Sequence, residues 1–587
     1  MPIGTANGRI AASAVLAVIA FILVIATFPG AGPVPAAHAQ EQLSAKDAFS
    51  AAKELGTREA WDAFLQRYPD GFLADLARAY IARIDASSAT PGTPPSAQRQ
   101  SRPRSEDAAP APAPKPAAVA APVARASATL QPAVSRGARY MGFSERFNRY
   151  YSDRSWKPRK TIYVSPDGGG DGTSREAAAS VADGLAGAEP GTLVHFVRGK
   201  YSGCFDIEEG RGGTYDQPLV LFGERGTEGG LGVTIQCCAA GRKSCLNVEG
   251  SDYVAIDGFE LAGGNYGVRA VGRGFAASEH SRGVAVMNCK GHDQDRDPFF
   301  TGQSDWFVLE RNVAYGAKKG DGHGIYLSNG GDWNIVRFNE TYGNHSSDFQ
   351  INPDPDSTCK EVGIPFDDPR CDAYAGEGEG GQGASDYFLI EGNYFHHSLG
   401  PGPNFTSLRR SIVRNNIFGP QARHNASFWQ ETGNPKLGSS GNKILHNIFL
   451  TTARHAVKFD NHSSGNTFAN NIVMGIQVQG RSVRANPAAL LMEIDATSAS
   501  NTFASNIYLG GGRFEGREPV NGEIVEPEVS PAWFKSFPVT VGDGVEGFAP
   551  TASAPFLDVG AFLADAPTDR SGARRGARSD LGPFELP

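Results

Sequence analysis

In the second half of the chain, apolar and polar positions fall into one returning phrase: VLERNVAY, IVRFNETY, LIEGNYFHH, IVRNNIFG, ILHNIFL, TFANNIVM and TFASNIYL. Each is a short β-branched and aromatic run with inside and outside alternation, such as Ile412 and Val413 or Ile444 and Leu445, bounded by Gly, Asn and Ser. That is a strand pattern, and no ten-residue helical pattern separates the runs. The asparagine of each phrase, with Asn288 ahead of the first, serves as a marker: Asn288, Asn312, Asn339, Asn393, Asn416, Asn447, Asn471 and Asn506, with gaps of 24, 27, 54, 23, 31, 24 and 35. A period in the low twenties with insertions predicts stacked units, none able to bury its apolar face alone. Parallel coils stack about 4.8 Å apart by ladder hydrogen bonding, so an asparagine at one fixed place can bond to those above and below it. The marker column is therefore read as structural.

Upstream the pattern changes character. TIYVSPDGGGDGTSREAAASVADGLAGAEPGTLVHFVRGKYSG reads as a strand, a glycine loop, a short helix and a strand running into Gly199-Lys200-Tyr201. Residues 40–85 carry helical periodicity, with apolar positions Trp61, Phe64 and Leu65 and then Phe72, Leu73 and Leu76. Thr57 caps the second helix and Pro69 ends it. The stretch resembles a tetratricopeptide-like helical pair, which implies a small module docking on a protein or envelope partner. Residues 86–139 are rich in Pro, Ala and Ser with scattered arginines, cannot bury a core, and are expected to form an extended, disordered tether. At the N-terminus an apolar run from Ile10 to Phe28 leads to Ala37-His38-Ala39, the pattern of a secretory signal over 1–39. The run is long enough to span a bilayer, so an uncleaved anchor is the alternative. Either way the remainder is expected to be periplasmic or secreted, where disulfides persist.

A length of 587 residues exceeds one ordinary compact domain but suits an elongated array. Seventy-two glycines and a net charge of −8 fit a turn-rich protein with no overall basic field, which argues against a nucleic-acid partner. Seven cysteines cannot all pair internally. Cys359 and Cys371 bracket a polar loop and are the first disulfide expected. Cys204, Cys237, Cys238 and Cys245 cluster and supply a second, with zinc as the rival reading of that cluster.

The opening YVSPDGGGDGT and PGTLVHFVRGKYSG, the asparagine repeats, and DRSGARRGARSDLGPFE at 569–585 together resemble the right-handed parallel β-helix proteins of the pectate lyase superfamily. The resemblance implies an all-β, single-stranded right-handed parallel β-helix over 140–527, closed by a C-terminal cap segment at 528–587, and a monomer. It also implies a ligand lying along one exposed sheet. This fold carries pectate and alginate lyases, polygalacturonase-type hydrolases, mannuronan epimerases and non-catalytic adhesins, so the chemistry must come from the site.

Counting back from the markers aligns GIYLS (324–328) with DFQIN (348–352), NFTSL (404–408), SFWQE (427–431) and AVKFD (456–460). Alternation then places Tyr326, Gln350, Thr406, Trp429 and Lys458 in one outward column, with Ser328, Asn352, Glu431 and Asp460 in the next. His323, Asp348 and His455 lie just before the strands. Aromatic faces of Tyr326 and Trp429 can stack on sugar rings, Gln350, Glu431, Asp460 and His455 can contact them, and Lys458 can take a proton or neutralise a uronate. Asp293, Asp295 and Asp297 alternate, so they are expected to share one side and to hold Ca2+ with help from neighbours.

Three classes of function follow. A polysaccharide lyase would cleave an acidic, uronate-containing polymer by β-elimination, with Lys458 or His323 as base; the family resemblance implies lysine or arginine bases in several lyases. A glycoside hydrolase would need two carboxylates, which Asp321, Asp348 and Asp297 could supply, and an epimerase would share the lyase site. A non-catalytic polysaccharide-binding or envelope protein is the third.

Overall fold

The structure is a computed structural model, described over residues 58–69, 74, 77, 78 and 81, and over 146–586 apart from 239–243, 275, 276, 355–382, 432, 433 and 453. The chain divides into two compact units, 1–117 and 118–587. In the first, the helix Arg58–Arg67 buries Trp61 and Phe64, one turn apart on a single face, against Ala77. The expected signal segment, Thr57, the tether at 86–139 and the Cys359–Cys371 pair lie outside the described residues.

The second unit is a right-handed parallel β-helix of three long sheets with 12, 11 and 13 strands, parallel throughout apart from the strand Ser482–Ala485 added antiparallel to the third. The first sheet starts at Lys160–Val164, the second at Phe205–Ile207 and the third at Gly199–Gly203. Each coil supplies one short strand to each sheet. Inward positions carry β-branched and aromatic side chains that stack from coil to coil. The rings of Phe395, Phe418, Phe449 and Phe468 follow one another at 5.6, 4.5 and 5.5 Å. Near the N-terminal end, the helix Val181–Ala186, capped by Ser180, packs against the first coil.

The asparagine column stands where each strand of the first sheet bends into the third. From Asn312 to Asn506, each side-chain amide oxygen accepts the backbone N–H of the preceding rung at 2.8–3.0 Å, and from Asn312 to Asn471 each Nδ2 donates to the next rung at 2.9–3.1 Å, while Asn506 at the end donates to Glu523 Oε1 at 2.9 Å. The bend is left-handed at the residue before each asparagine, with φ of 55° at Arg311, 55° at Phe338, 56° at Asn415 and 53° at His446. A corner of this kind interrupts the strand ladder, and the amides replace the lost partners without water. Asn288 is not a rung. It takes the left-handed position itself (φ 53°), and Cys289 occupies the column, donating its N–H to Asn312 Oδ1 at 3.0 Å. A second asparagine ladder, Asn442–Asn466–Asn501, ties the corner ahead of the first sheet.

The chain covers two of the three outer faces itself. Phe147 and Tyr151 pack on Met287, Trp306 and Trp333 outside the first sheet. Apolar side chains of residues 528–586 lie against the outside of the third sheet. Phe534, Phe537, Phe548 and Phe556 bury Tyr394, Ile417, Ile448, Ile472 and Ile507. Those outward residues form an apolar stripe that must be covered, and strands buried on both faces read as continuous apolar runs. The outer face of the second sheet bears polar and charged side chains instead, and two clefts open along it.

Candidate functional site

Strand register decides which side chains meet on that face. Tyr326 pairs with Gln350, Gln350 with Asn404, Asn404 with Ser427, Ser427 with Lys458, and Lys458 with Glu493. The outward column is therefore Tyr326, Gln350, Asn404, Ser427, Lys458 and Glu493. Thr406 and Trp429 were expected beside Lys458 but belong one column over, with Asn352 and Asp460. Thr406 pairs with Trp429, and Phe405 with Ile351. The slip is of two residues and keeps both side chains on the outer face, because strand side chains alternate with period two. Its cause is variable corner length: the distance from strand to marker differs between coils.

At the C-terminal half of this face lies a cleft of about 610 Å³. Its centre is an ion cluster. Lys458 Nζ sits 2.7 Å from Asp460 Oδ2 and 3.0 Å from Glu493 Oε1, while Glu493 Oε2 is 3.2 Å from His455 Nδ1. The hydrogen bond from His455, followed by burial in the opposite sense and the bond from Lys458, brings Glu493 down to about 2. Burial opposes the charge on Lys458, but its bonds to Asp460 and Glu493 outweigh that and hold its pKa above the usual value. Lys458 thus rests as a cation, not as a base. The His424 ring lies 4.8 Å from that of His455, tilted by 32°, and lines the cleft. Burial, then the positive charges of His455, Arg423, Arg454 and Lys458, lower it to about 4, so its imidazole is neutral near neutral pH. Arg454 and Arg513 line the same cleft, with Trp429 on one flank.

Of the residues expected at the site, Lys458, Asp460, His455 and Trp429 come together here. Glu431 accepts from Asn352 Nδ2 at 3.1 Å, on the neighbouring column. His323 does not line the cleft. It is 7 % exposed, its backbone N–H donates to Asp297 Oδ1 at 2.8 Å, its ring packs on Tyr326, and burial lowers it to about 4. Asp348 is fully buried, accepting from Ser398, from Gln421 Nε2 at 2.8 Å and from Asn344 Nδ2 at 3.2 Å; burial pushes its carboxyl up to about 8. Asp321 is exposed on the turn before His323. Gln350 is 7 % exposed between Tyr326 and Asn404. Asp348 faces inward because the chain turns before the strand begins, which period-two counting does not register.

The three alternating aspartates diverge. Asp293 meets His292 Nδ1 at 2.8 Å, Asp295 meets Lys319 at 2.6 Å, and Asp297 is buried beneath His323. The left-handed φ of 61° at Asp293 breaks the extended run that would have aligned them. Among the described residues, no group of three or more His, Cys, Asp or Glu is placed to hold a metal ion. The cysteine cluster forms two disulfides, Cys204–Cys238 and Cys237–Cys245, so it supplies one more than expected and its thiols are not zinc ligands; Cys289 is free and buried. Such pairs fit an oxidising compartment.

His424, Ser427, Arg454, Glu493 and Arg513 were not found by pattern. Glu493 stands in LLMEI, whose alternation marks a strand, but an antiparallel hairpin, Ile472–Gln479 with Ser482–Ala485, separates it from its marker and disguises the coil. Toward the N-terminus the same column continues through Phe300, Arg269 and Asn247. The rings of Tyr266, Phe300 and Tyr326 follow at 5.2 and 5.4 Å beside a second cleft of about 540 Å³ with Arg269 and Arg273.

Fold and site together define a parallel β-helix with an open, charged furrow along one sheet. No protein-family model and no curated protein matches the chain. Solved structures of the same architecture do. The pectate lyase Pel9A aligns over 74% of this chain and 98% of its own at 13% identity with a TM-score of 0.43. The complex of XylC with xylose aligns over 73% and 98% at 10% identity with a TM-score of 0.42. An alginate lyase from Paenibacillus sp. str. FPU-7 aligns over 60% and 99% at 13% identity with a TM-score of 0.33. At this distance the likeness is one of coil architecture and transfers no residue role. Among the described residues, no helix is long and apolar enough to cross a membrane.

Proposed function

We propose that the protein is a carbohydrate-active enzyme, periplasmic or secreted, that cleaves a uronate-containing polysaccharide by β-elimination in the cleft around Lys458. The observation that carries this reading is a neutral imidazole, His424, among fixed cations. Lys458, Arg454 and Arg513 offset the substrate carboxylate and acidify the neighbouring C–H. His424 takes that proton as the bond from the adjacent ring carbon to the glycosidic oxygen breaks, leaving a carbon–carbon double bond at the new end. Tyr326 and Phe300 offer ring faces to further sugars along the furrow.

A hydrolase would need a protonated carboxylic acid beside a second carboxylate. Glu493 is ionised, and the carboxyls that burial raises near the second sheet, Asp297 to about 7 and Asp348 to about 8, lie inside the coils. Incubation with alginate, pectate and other uronans, followed by ultraviolet absorbance, tests the reading. New unsaturated ends are expected, and His424→Ala should lower their rate by a factor of about 10² to 10⁴ with the fold intact. Reducing ends without absorbance would replace it with hydrolysis, and binding with neither would leave a scaffold.

A further inference from the structure

Three side chains of the cleft form a chain that β-elimination does not use. Ser427 Oγ lies 3.0 Å from His455 Nε2, and His455 Nδ1 lies 3.2 Å from Glu493 Oε2. They come from three successive coils, on the strands Ala426–Trp429, His455–Phe459 and Leu490–Ile494. Register pairs Ser427 with Lys458, yet its hydroxyl turns aside to His455. Lys458 instead holds the other oxygen of Glu493 at 3.0 Å and fixes that carboxylate in place. An ionised carboxylate only accepts, so Nδ1 of His455 carries a proton toward Glu493, and Nε2 is the ring atom that meets the serine hydroxyl. Hydroxyl, imidazole and carboxylate in this order are the arrangement that activates a serine, whatever fold carries it.

We propose that Ser427, His455 and Glu493 hydrolyse a carboxylic ester borne by a glycan in this cleft, with Ser427 as nucleophile, His455 as base and then acid, and Glu493 as the group that orients and stabilises the imidazolium. This activity is additional to elimination and does not depend on it. In the first half, Ser427 Oγ bonds to the ester carbonyl carbon while its proton passes to His455 Nε2. The tetrahedral adduct then expels the alcohol, which takes that proton, and leaves an acyl-serine. Water, giving its proton to His455, attacks the acyl carbon and releases the acid and the serine. The net change is ester and water to acid and alcohol, with no oxidant or further reactant.

The developing oxyanion needs donors. The backbone N–H of Ser427 is committed to Pro403 O at 3.1 Å. Asn404 stands next to Ser427 in register and lines the cleft, and its side-chain amide makes no hydrogen bond among the described residues. That amide is assigned as the donor. Pro401 and Leu490 give the adjoining wall an apolar surface suited to a short acyl or alkyl group.

The test uses the whole chain and a fluorophosphonate probe, which forms a stable adduct with an activated serine. Peptide mass spectrometry should place the adduct on Ser427, and Ser427→Ala, with an unchanged melting midpoint, should abolish it. Glu493→Gln should slow labelling at least about tenfold, because the imidazole loses its anionic partner. Cleavage of 4-nitrophenyl acetate should fall at least about a hundredfold in Ser427→Ala. With esterified uronans, release of acetate identifies a sugar O-acyl ester and release of methanol a uronate methyl ester; either supports the assignment. A folded wild-type protein that is not labelled at Ser427 and cleaves none of these esters faster than Ser427→Ala would overturn it. The probe contains no sugar, so this outcome is independent of whether unsaturated ends form.

Discussion

Asn447→Ala tests whether the asparagine column carries the fold. Asn447 is fully buried, and its side chain makes four hydrogen bonds: it accepts from Asn416 N at 2.9 Å and Asn416 Nδ2 at 3.0 Å, and donates to Val413 O at 2.9 Å and Asn471 Oδ1 at 3.1 Å. Each is worth a net ~1 kcal/mol, and a buried donor left without a partner costs ~1–3 kcal/mol. Asn416 N–H is left in that state, so the loss should be at least about 5 kcal/mol, or between three and four decades in the unfolding equilibrium. The control is Asn404→Ala, two coils earlier and on the outer face of the second sheet, where a change within about 0.5 kcal/mol is expected. Urea denaturation followed by circular dichroism gives both values, and a reduced slope in the variant would show the array splitting at that coil. A loss below about 1 kcal/mol for Asn447→Ala, equal to the control, would refute the assignment of the ladder as the support of the corners.

Asp348 makes stability fall with rising pH: its folded carboxyl keeps its proton up to about 8, whereas in the unfolded chain it loses it near the usual carboxylate value, so the native state binds more protons across that interval. From about pH 5 to just below 8 this group contributes a slope of up to ~1.4 kcal/mol per unit, and Asp348→Asn should remove that contribution when melts of the two proteins are compared across the window. The Cys204–Cys238 disulfide closes a 34-residue loop, and Cys204→Ala should cost the N-terminal coils ~4 kcal/mol by chain entropy, measured by denaturation without reductant. Phe300→Ala combined with Tyr326→Ala should weaken binding of long uronan chains more than that of short ones, by about 10-fold or more in calorimetry; equal loss for both lengths would take the aromatic run out of the substrate path.

The second-sheet strands show how far pattern alone reaches. Ile325, Leu327, Phe349, Ile351, Val457 and Phe459 alternate with the residues placed outward and are buried, because a period of two assigns faces without knowing any partner. Lys458 and Asp460 were expected on adjacent outward columns and are there. Thr406 and Trp429 slipped by one column, since the count from marker to strand changes with each corner. His323 and Asp348 carried the right chemistry in the wrong place: both precede a strand, where a turn directs the side chain inward and no periodicity holds. Asn288 failed for a related reason, the left-handed corner falling one residue later than the repeat suggested.

Alternation and repeat length are properties of neighbouring residues, so the sequence by itself determined the solenoid and its asparagine corners. Which side chains face one another across coils depends on loop lengths summed over many residues, and only the folded structure decided that. Ser427, His455 and Glu493 lie 28 or more positions apart at their first step, and nothing local links them. Their meeting is set by stacking at the strand spacing, which converts distance along the chain into contact across it.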